Sequence, residues 1–280
     1  MSSHSETTWS AEPVTPLTGT EVTGVDLGRP LPGELVTGIR GLLAERKVLF
    51  FRGQHLDPAQ ALAFARQLGP VLRFKSVRAE HPDYPGVHVV EPAGDERRPD
   101  GGRVTGFWHI DATSLTTPPF ASVLRAVTVP PAGGDTIWAN LAAAYDGLAA
   151  DLKDAIGGLA VTHHVPGQPG PSGTGGPLVS WPLVRVHPDT KEKVLYVNFM
   201  LQPRVAGWDR ADSDALMRVL KEEATRPEYE VRFRWSPGAV AVWDNRATHH
   251  YGVADYGDFP RRMERILVAD PAATASVELI

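Results

Sequence analysis

His109 and Asp111 stand two apart in the stretch FWHID, residues 107–111. In a strand, residues two apart point to the same face. An imidazole and a carboxylate could therefore reach one ion there, with Ile110 directed into the opposite layer. A His-x-Asp triplet also arises by chance, and in a loop these are ordinary polar residues. Two ligands do not complete a site. A mononuclear iron oxygenase adds a second His and leaves three positions for a co-substrate and oxygen. Of the ten histidines, His249 and His250 directly follow the apolar run AVAVWDN and its Arg-Ala-Thr. Arginines stand eleven and fifteen residues beyond His250, at Arg261 and Arg265. Four apart on a strand, these two share a face. Arg pairs bidentately with carboxylates, which a second carboxylic acid bound near a metal would need.

Composition narrows the chemistry. There are no cysteines among the 280 residues, which excludes disulfides, thiolate metal sites and a Cys nucleophile. A metal site must then use His, Asp and Glu, which suits iron, manganese or zinc. A net charge of −5 gives no global reason for nucleic-acid binding. No run approaches the ~20 apolar residues of a membrane span. The start, MSSHSETTWSAEP, lacks the basic and apolar regions of a secretory signal, so a cytoplasmic protein is expected.

The elements that must position these residues read as follows. Residues 1–12 read as a disordered tail, and 13–280 as one domain. A helix over 33–45 runs into a strand, VLFF, at 48–51. A second helix starts at Pro58, with Asp57 as cap and Gln60 at the capping-box position, and Gly69 stops it. Residues 75–106 hold many Pro and Gly and no period, which suits a lid. Strands are expected at 120–129, 134–140, 158–165, in WPLVRVH, KVLYVNF, YEVRFRW and AVAVWDN, and at 261–270. The intervening helix 141–159 should break near 148–151, and 166–177 reads as a second flexible loop. The helix 210–226 should bury Leu216, Val219, Leu220 and Ala224. Its Lys221, Glu222 and Glu223 form a solvated face. Many short strands with Gly/Pro turns favour a jelly-roll barrel carrying a few helices over a doubly wound sheet.

The motifs WHID, LRAVTVPPAGGDTIWANLAAAYDGL, VWDNRATHHYGVADY and RRMER occur together in an order and spacing that resembles the taurine dioxygenase family. The similarity spans about residues 14–270. It implies a double-stranded β-helix (jelly-roll, cupin-like) core, mainly β with flanking helices, and dependence on Fe(II), 2-oxoglutarate and O2. It implies His109, Asp111 and His250, rather than His249, as metal ligands. It implies Arg261 and Thr136 on the 2-oxoglutarate carboxylate, with Arg265 near the co-substrate or an anionic substrate group. It also implies substrate contacts from His81 and Tyr84. The implied reaction is oxidation of a substrate C–H bond, with release of succinate and CO2.

The resemblance weakens at the substrate pocket. Thr105 stands where the taurine enzyme has Asn, Ser114 where it has Phe, Trp181 where it has His, and Leu201 where it has a further Phe. Taurine itself is therefore not the expected substrate. An alkyl sulfonate or sulfate ester and a natural-product intermediate both fit, with hydroxylation, desaturation or epoxidation as outcomes. Ordinary roles compete at each position. Arg265 can salt-bridge Glu264 or Asp258, and His81 and Tyr84 can simply pack. Trp108 can be a wall or core residue, His249 can support a ligand, and His163 and His164 can pair with backbone or solvent. A zinc hydrolase could use the same triad but gives Arg261 and Thr136 no task. A non-catalytic small-molecule-binding barrel gives the ligands none. The expected partners are a small-molecule substrate and further copies of the chain, with no nucleic acid and no membrane.

Overall fold

The computed structural model describes residues 9–73, 79–91, 106–163, 179–271 and 278–279. Two antiparallel-rich sheets face each other. The large one runs in the order Ser10–Pro13, Thr20–Thr23, Val48–Phe51, Val240–Asp244, Ala121–Thr128, Arg262–Val268, Val71–Arg73 and Glu278–Leu279. The hairpin of Glu80–His81 and Tyr84–Val90 joins it through Arg262–Val268. The small sheet places Thr136–Asn140 between Glu230–Phe233 and Thr248–Gly252. This is the expected jelly-roll core.

The central strands are apolar on both faces because both faces are covered. In Val240–Asp244, Ala241 and Trp243 point between the sheets, against Phe50, Leu124, Trp138, Phe233 and Met263. Val240 and Val242 point the other way. There they meet helices α1 (Gly33–Arg46) and α2 (Pro58–Leu68) through Ile39, Leu43, Phe64 and Leu68. A third cluster packs α3 (Leu141–Gly147), α4 (Ala150–Ile156) and α5 (Arg210–Ala224) around Leu183, Leu195 and Tyr196.

Local signals were accurate where they were chemical. Asp57 and Gln60 form the capping box of α2, and Gly69 is its C-cap. The break between α3 and α4 falls at Leu148–Ala149. Three expectations need correction. Ser10–Pro13 pairs with Thr20–Thr23, so residues 10–12 belong to the sheet rather than to a tail. Residues 79–91 carry a hairpin, so 75–106 is not one irregular lid; the rest of that segment, and 166–177, lie outside the described residues. On α5, Met217 is buried while Val219 is 43% exposed, because the buried face follows Ser213, Met217, Leu220 and Ala224 at a strict helical repeat. Thr248–Gly252 is a strand that its polar composition concealed.

Candidate active site

His109 and Asp111 do not share a regular strand. His109 forms a single antiparallel bridge with His250, its N–H donating to the His250 carbonyl at 3.0 Å and the reverse bond at 2.8 Å. The chain then turns, with Ala112 in the left-handed region at φ 51°. The bridge sets the two imidazoles 4.0 Å apart, centroid to centroid. The turn brings Asp111 beside them. One ligand atom from each of His109, Asp111 and His250 lies within 4.8 Å of the others. Strand alternation separates the two neighbouring histidines. His250 faces Trp138 and Trp243 between the sheets. His249 faces away, and its Nε2–H donates to the Ala224 carbonyl at the end of α5 at 3.1 Å. Burial lowers its pKa to about 3, so it is neutral.

The three side chains are prepared for a cation. His109 Nδ1 lies 2.9 Å from the Phe107 carbonyl oxygen. A carbonyl only accepts, so Nδ1 carries the proton and Nε2 keeps its lone pair for a metal. Burial pushes the Asp111 carboxyl up, but the charge of Arg265, helped by the Ser122 hydrogen bond, outweighs it and holds it well below the ordinary carboxylate range. Burial keeps His250 neutral. One carboxylate and two neutral imidazoles are the donor set an Fe(II) ion takes. The residues therefore fit the ion.

Behind the ligands runs a chain of hydrogen bonds that motif reading passed over. Ser122 Oγ donates to Asp111 Oδ2 at 2.7 Å, Asn245 Nδ2 donates to Ser122 Oγ at 2.7 Å, and Trp243 Nε1 donates to Asn245 Oδ1 at 2.9 Å. Asn198 pins the turn itself, donating to the Ile110 carbonyl and to Thr113 Oγ1, each at 2.8 Å. Its own N–H donates to His163 Nε2 at 3.3 Å, which gives His163 the backbone partner expected of it. His164 lies outside the described residues. Asn245 was within reach of the sequence, as the last residue of WDN; Ser122 and Asn198 carry no local signal.

Two of the expected co-substrate residues, Thr136 and Arg261, meet at one turn. Thr136 opens the strand that carries Trp138, which is paired with His250, so Thr136 shares the face of that imidazole. Its Oγ1 accepts from Trp235 Nε1 at 3.0 Å. Arg261 Nε donates to the Gly134 carbonyl at 2.9 Å. Arg265 pairs with Asp111, not with Glu264, which is held by Arg125 at 2.6 Å.

The expected substrate residues scatter. Leu201 is buried, in a short 3-10 turn whose Phe199 ring lies 5.9 Å from His249. Trp108 stacks on His249 at 4.3 Å. Ser114 is half-buried in the turn after Asp111. Trp181 donates to the Thr113 carbonyl at 2.8 Å. It lines, with Arg185, Tyr196 and Phe120, a cavity of about 370 Å3 that none of the three ligand candidates borders. His81 and Tyr84 sit ring to ring at 5.0 Å, and Tyr84 packs against the α2 side of the core. Thr105 lies outside the described residues. A second set of ligand types, His187, Asp189 and Asp244, is already occupied by a cation: Arg246 reaches Asp244 at 2.6 Å and Asp189 at 2.7 Å.

Residues 10–267 match the model of the taurine catabolism dioxygenase TauD, TfdA family. The chain belongs to this family. It is an Fe(II)- and 2-oxoglutarate-dependent dioxygenase, an oxidoreductase. Similar proteins include an alpha-ketoglutarate-dependent sulfate ester dioxygenase from Pseudomonas putida, 37% identical over 92% of this chain and 88% of that one. An alkylsulfatase from Acinetobacter baylyi is 35% identical over 92% and 84%. Among solved structures, a taurine dioxygenase from Burkholderia xenovorans superposes with a TM-score of 0.81 at 40% identity, over 93% of this chain and 89% of that one. Among the described residues no helix is long and apolar enough to cross a membrane.

Proposed function

We propose that the dioxygenase oxidises the carbon next to oxygen in an alkyl sulfate ester, using Fe(II) held by His109, Asp111 and His250. The observation that carries the metal assignment is the convergence of those three ligand atoms within 4.8 Å on a backbone bridge. The sulfate-ester assignment is supported by the names of the two relatives just described and by the absence of Asn, Phe and His at positions 105, 114 and 181.

With iron, 2-oxoglutarate and oxygen bound, the site supplies oxidative decarboxylation to succinate and CO2 coupled to attack on a substrate C–H bond. The chain's own residues position and shield. Arg261 and Thr136 hold the distal carboxylate of 2-oxoglutarate. Asp111 is aimed by Ser122 and Asn245. Arg265 pairs with Asp111; with Asp111 serving as a metal ligand, its guanidinium would be available to a sulfate or carboxylate group. Hydroxylation of R–CH2–OSO3⁻ gives R–CH(OH)–OSO3⁻, whose C–O bond to sulfate breaks as the hydroxyl loses its proton, yielding R–CHO and hydrogen sulfate.

The test is a panel of alkyl sulfate esters, sulfonates including taurine, terpenoid acids and amino acids, scored by succinate formed above the substrate-free rate. The largest stimulation is expected with a sulfate ester of medium chain length. Stimulation by a terpenoid acid alone would reassign the substrate to natural-product chemistry.

A further inference from the structure

Three half-buried arginines are paired with carboxylates, and among the described residues Arg261 is not. Arg125 has Glu264, Arg246 has Asp244, and Arg265 has Asp111. Arg261 Nε has the Gly134 carbonyl, and among the described residues its two Nη groups take no hydrogen bond. Two carboxylates nevertheless stand close by. Asp135 follows Gly134 directly and lies within electrostatic range of Arg261. Asp255 Oδ1 accepts the Gly134 N–H at 2.8 Å. The packing is tight: a Cβ on Gly134, at φ 72°, would sit 3.1 Å from Arg261 Cδ, and one on Gly133 would sit 2.6 Å from Asp255 Oδ1.

Both carboxylates are held by one other cation. Arg232 Nε donates to Asp135 Oδ2 at 2.7 Å, and its Nη2 donates to Asp255 Oδ2 at 3.1 Å. Arg232 approaches from the neighbouring strand, in register with Ile137. The remaining oxygen of Asp135 is buried and takes no hydrogen bond, so this carboxylate depends on Arg232 for neutralisation. Without Arg232 the Asp135 charge would act on Arg261 with no cation of its own. A side-chain rotation would turn Asp135 toward Arg261, whose guanidinium holds no carboxylate among the described residues, and a buried carboxylate seeks such a partner strongly.

We infer that Arg232 is a positioning residue for co-substrate binding: by holding Asp135 and Asp255 it keeps Arg261 free for the distal carboxylate of 2-oxoglutarate. The inference rests on the reading of Arg261 as the co-substrate anchor. It also gives the Asp of the Gly-Gly-Asp-Thr motif a task, since Asp135 ties the turn that carries Thr136 to the strand that carries Arg232.

The test uses the full chain loaded with Mn(II), without oxygen, and measures Kd by calorimetry for 2-oxoglutarate and for 2-oxobutyrate. The second compound has the same 2-oxo carboxylate but no distal carboxylate. Arg232→Met should weaken 2-oxoglutarate by about tenfold or more, near one charge-assisted contact, and leave 2-oxobutyrate within about twofold. Adding Asp135→Asn to Arg232→Met should recover most of the loss. A bracing role for Arg232 predicts the opposite, since a second lost partner cannot repair a sheet. Wild-type affinity in Arg232→Met, or a double variant no tighter than the single one, overturns the inference. Should Arg232→Met not fold, as judged by Tm, Arg232→Lys carries the same predictions, because one ammonium cannot hold both carboxylates. Arg261→Met separates the two levels: if it binds 2-oxoglutarate like the wild type, the anchor reading itself is wrong.

Discussion

Asp111 shows how much a single ligand depends on groups that never touch the ion. Its Oδ2 is fixed by Ser122, which is fixed by Asn245, which is fixed by Trp243. Removing such a support typically costs metal affinity by about 10- to 100-fold. Asn245→Ala should therefore weaken Mn(II) or Fe(II) binding by roughly that factor while the far-ultraviolet spectrum stays native, as metal titration would show. Unchanged affinity would mean that the carboxylate is held by the ion alone. The ligands themselves were legible from residue type and spacing, but the choice of His250 over His249 came from the family resemblance and not from the residues' own pattern. It depends on which face of Thr248–Gly252 turns inward, and that strand is recognisable only once its partner, Thr136–Asn140, is known. Ser122 looks like any strand Ser, and Asn198 lies 88 residues from the carbonyl it holds. Such contacts carry no local pattern.

At the scale of elements, the site is a junction. The small sheet supplies Thr136 and His250, the turn after the bridge supplies Asp111, and the large sheet supplies Ser122 and Arg265. The cap of helix α2 holds no residue of the site, so it separates stability from function. Asp57→Ala removes the side chain that accepts the Gln60 N–H at 2.8 Å and should cost about 1 kcal/mol. Denaturant unfolding should show that loss with kcat unchanged. Helix starts and strand runs were legible because they rest on neighbours in sequence: Asp57 with Gln60, or VLFF with its two apolar faces. The hairpin at Glu80–Val90 and the pairing of Ser10–Pro13 with Thr20–Thr23 were not. Their residues are mostly exposed or half-buried, and register comes from distant strands.

Across the whole molecule, a buried ionic cluster ties the end of Val240–Asp244 to the loop that carries His187 and Asp189. Burial pushes the Asp244 carboxyl up, but hydrogen bonds from Arg246 and His187, with their charges, outweigh it and take the pKa from the ordinary 3.8 to about 2. A depressed carboxyl contributes stability that is fully present above its unfolded pKa. That contribution is lost as pH falls through the folded value. It amounts to about 2 kcal/mol and should disappear between about pH 5 and pH 2. Asp244→Asn should flatten the acid dependence of unfolding in that window; an unchanged slope would place the acid-labile carboxylate elsewhere. The same ionic cluster accounts for His187 and Asp189, ligand types that serve structure here. The central claim concerns what the other cluster does with oxygen. Its most direct test is product identity with a primary alkyl sulfate, Fe(II) and 2-oxoglutarate, in air and under argon. The account predicts aldehyde, sulfate and succinate in equal amounts in air, and none of the three under argon. Release of the alcohol with sulfate, without succinate and without need of oxygen, would contradict it and make the site a hydrolase.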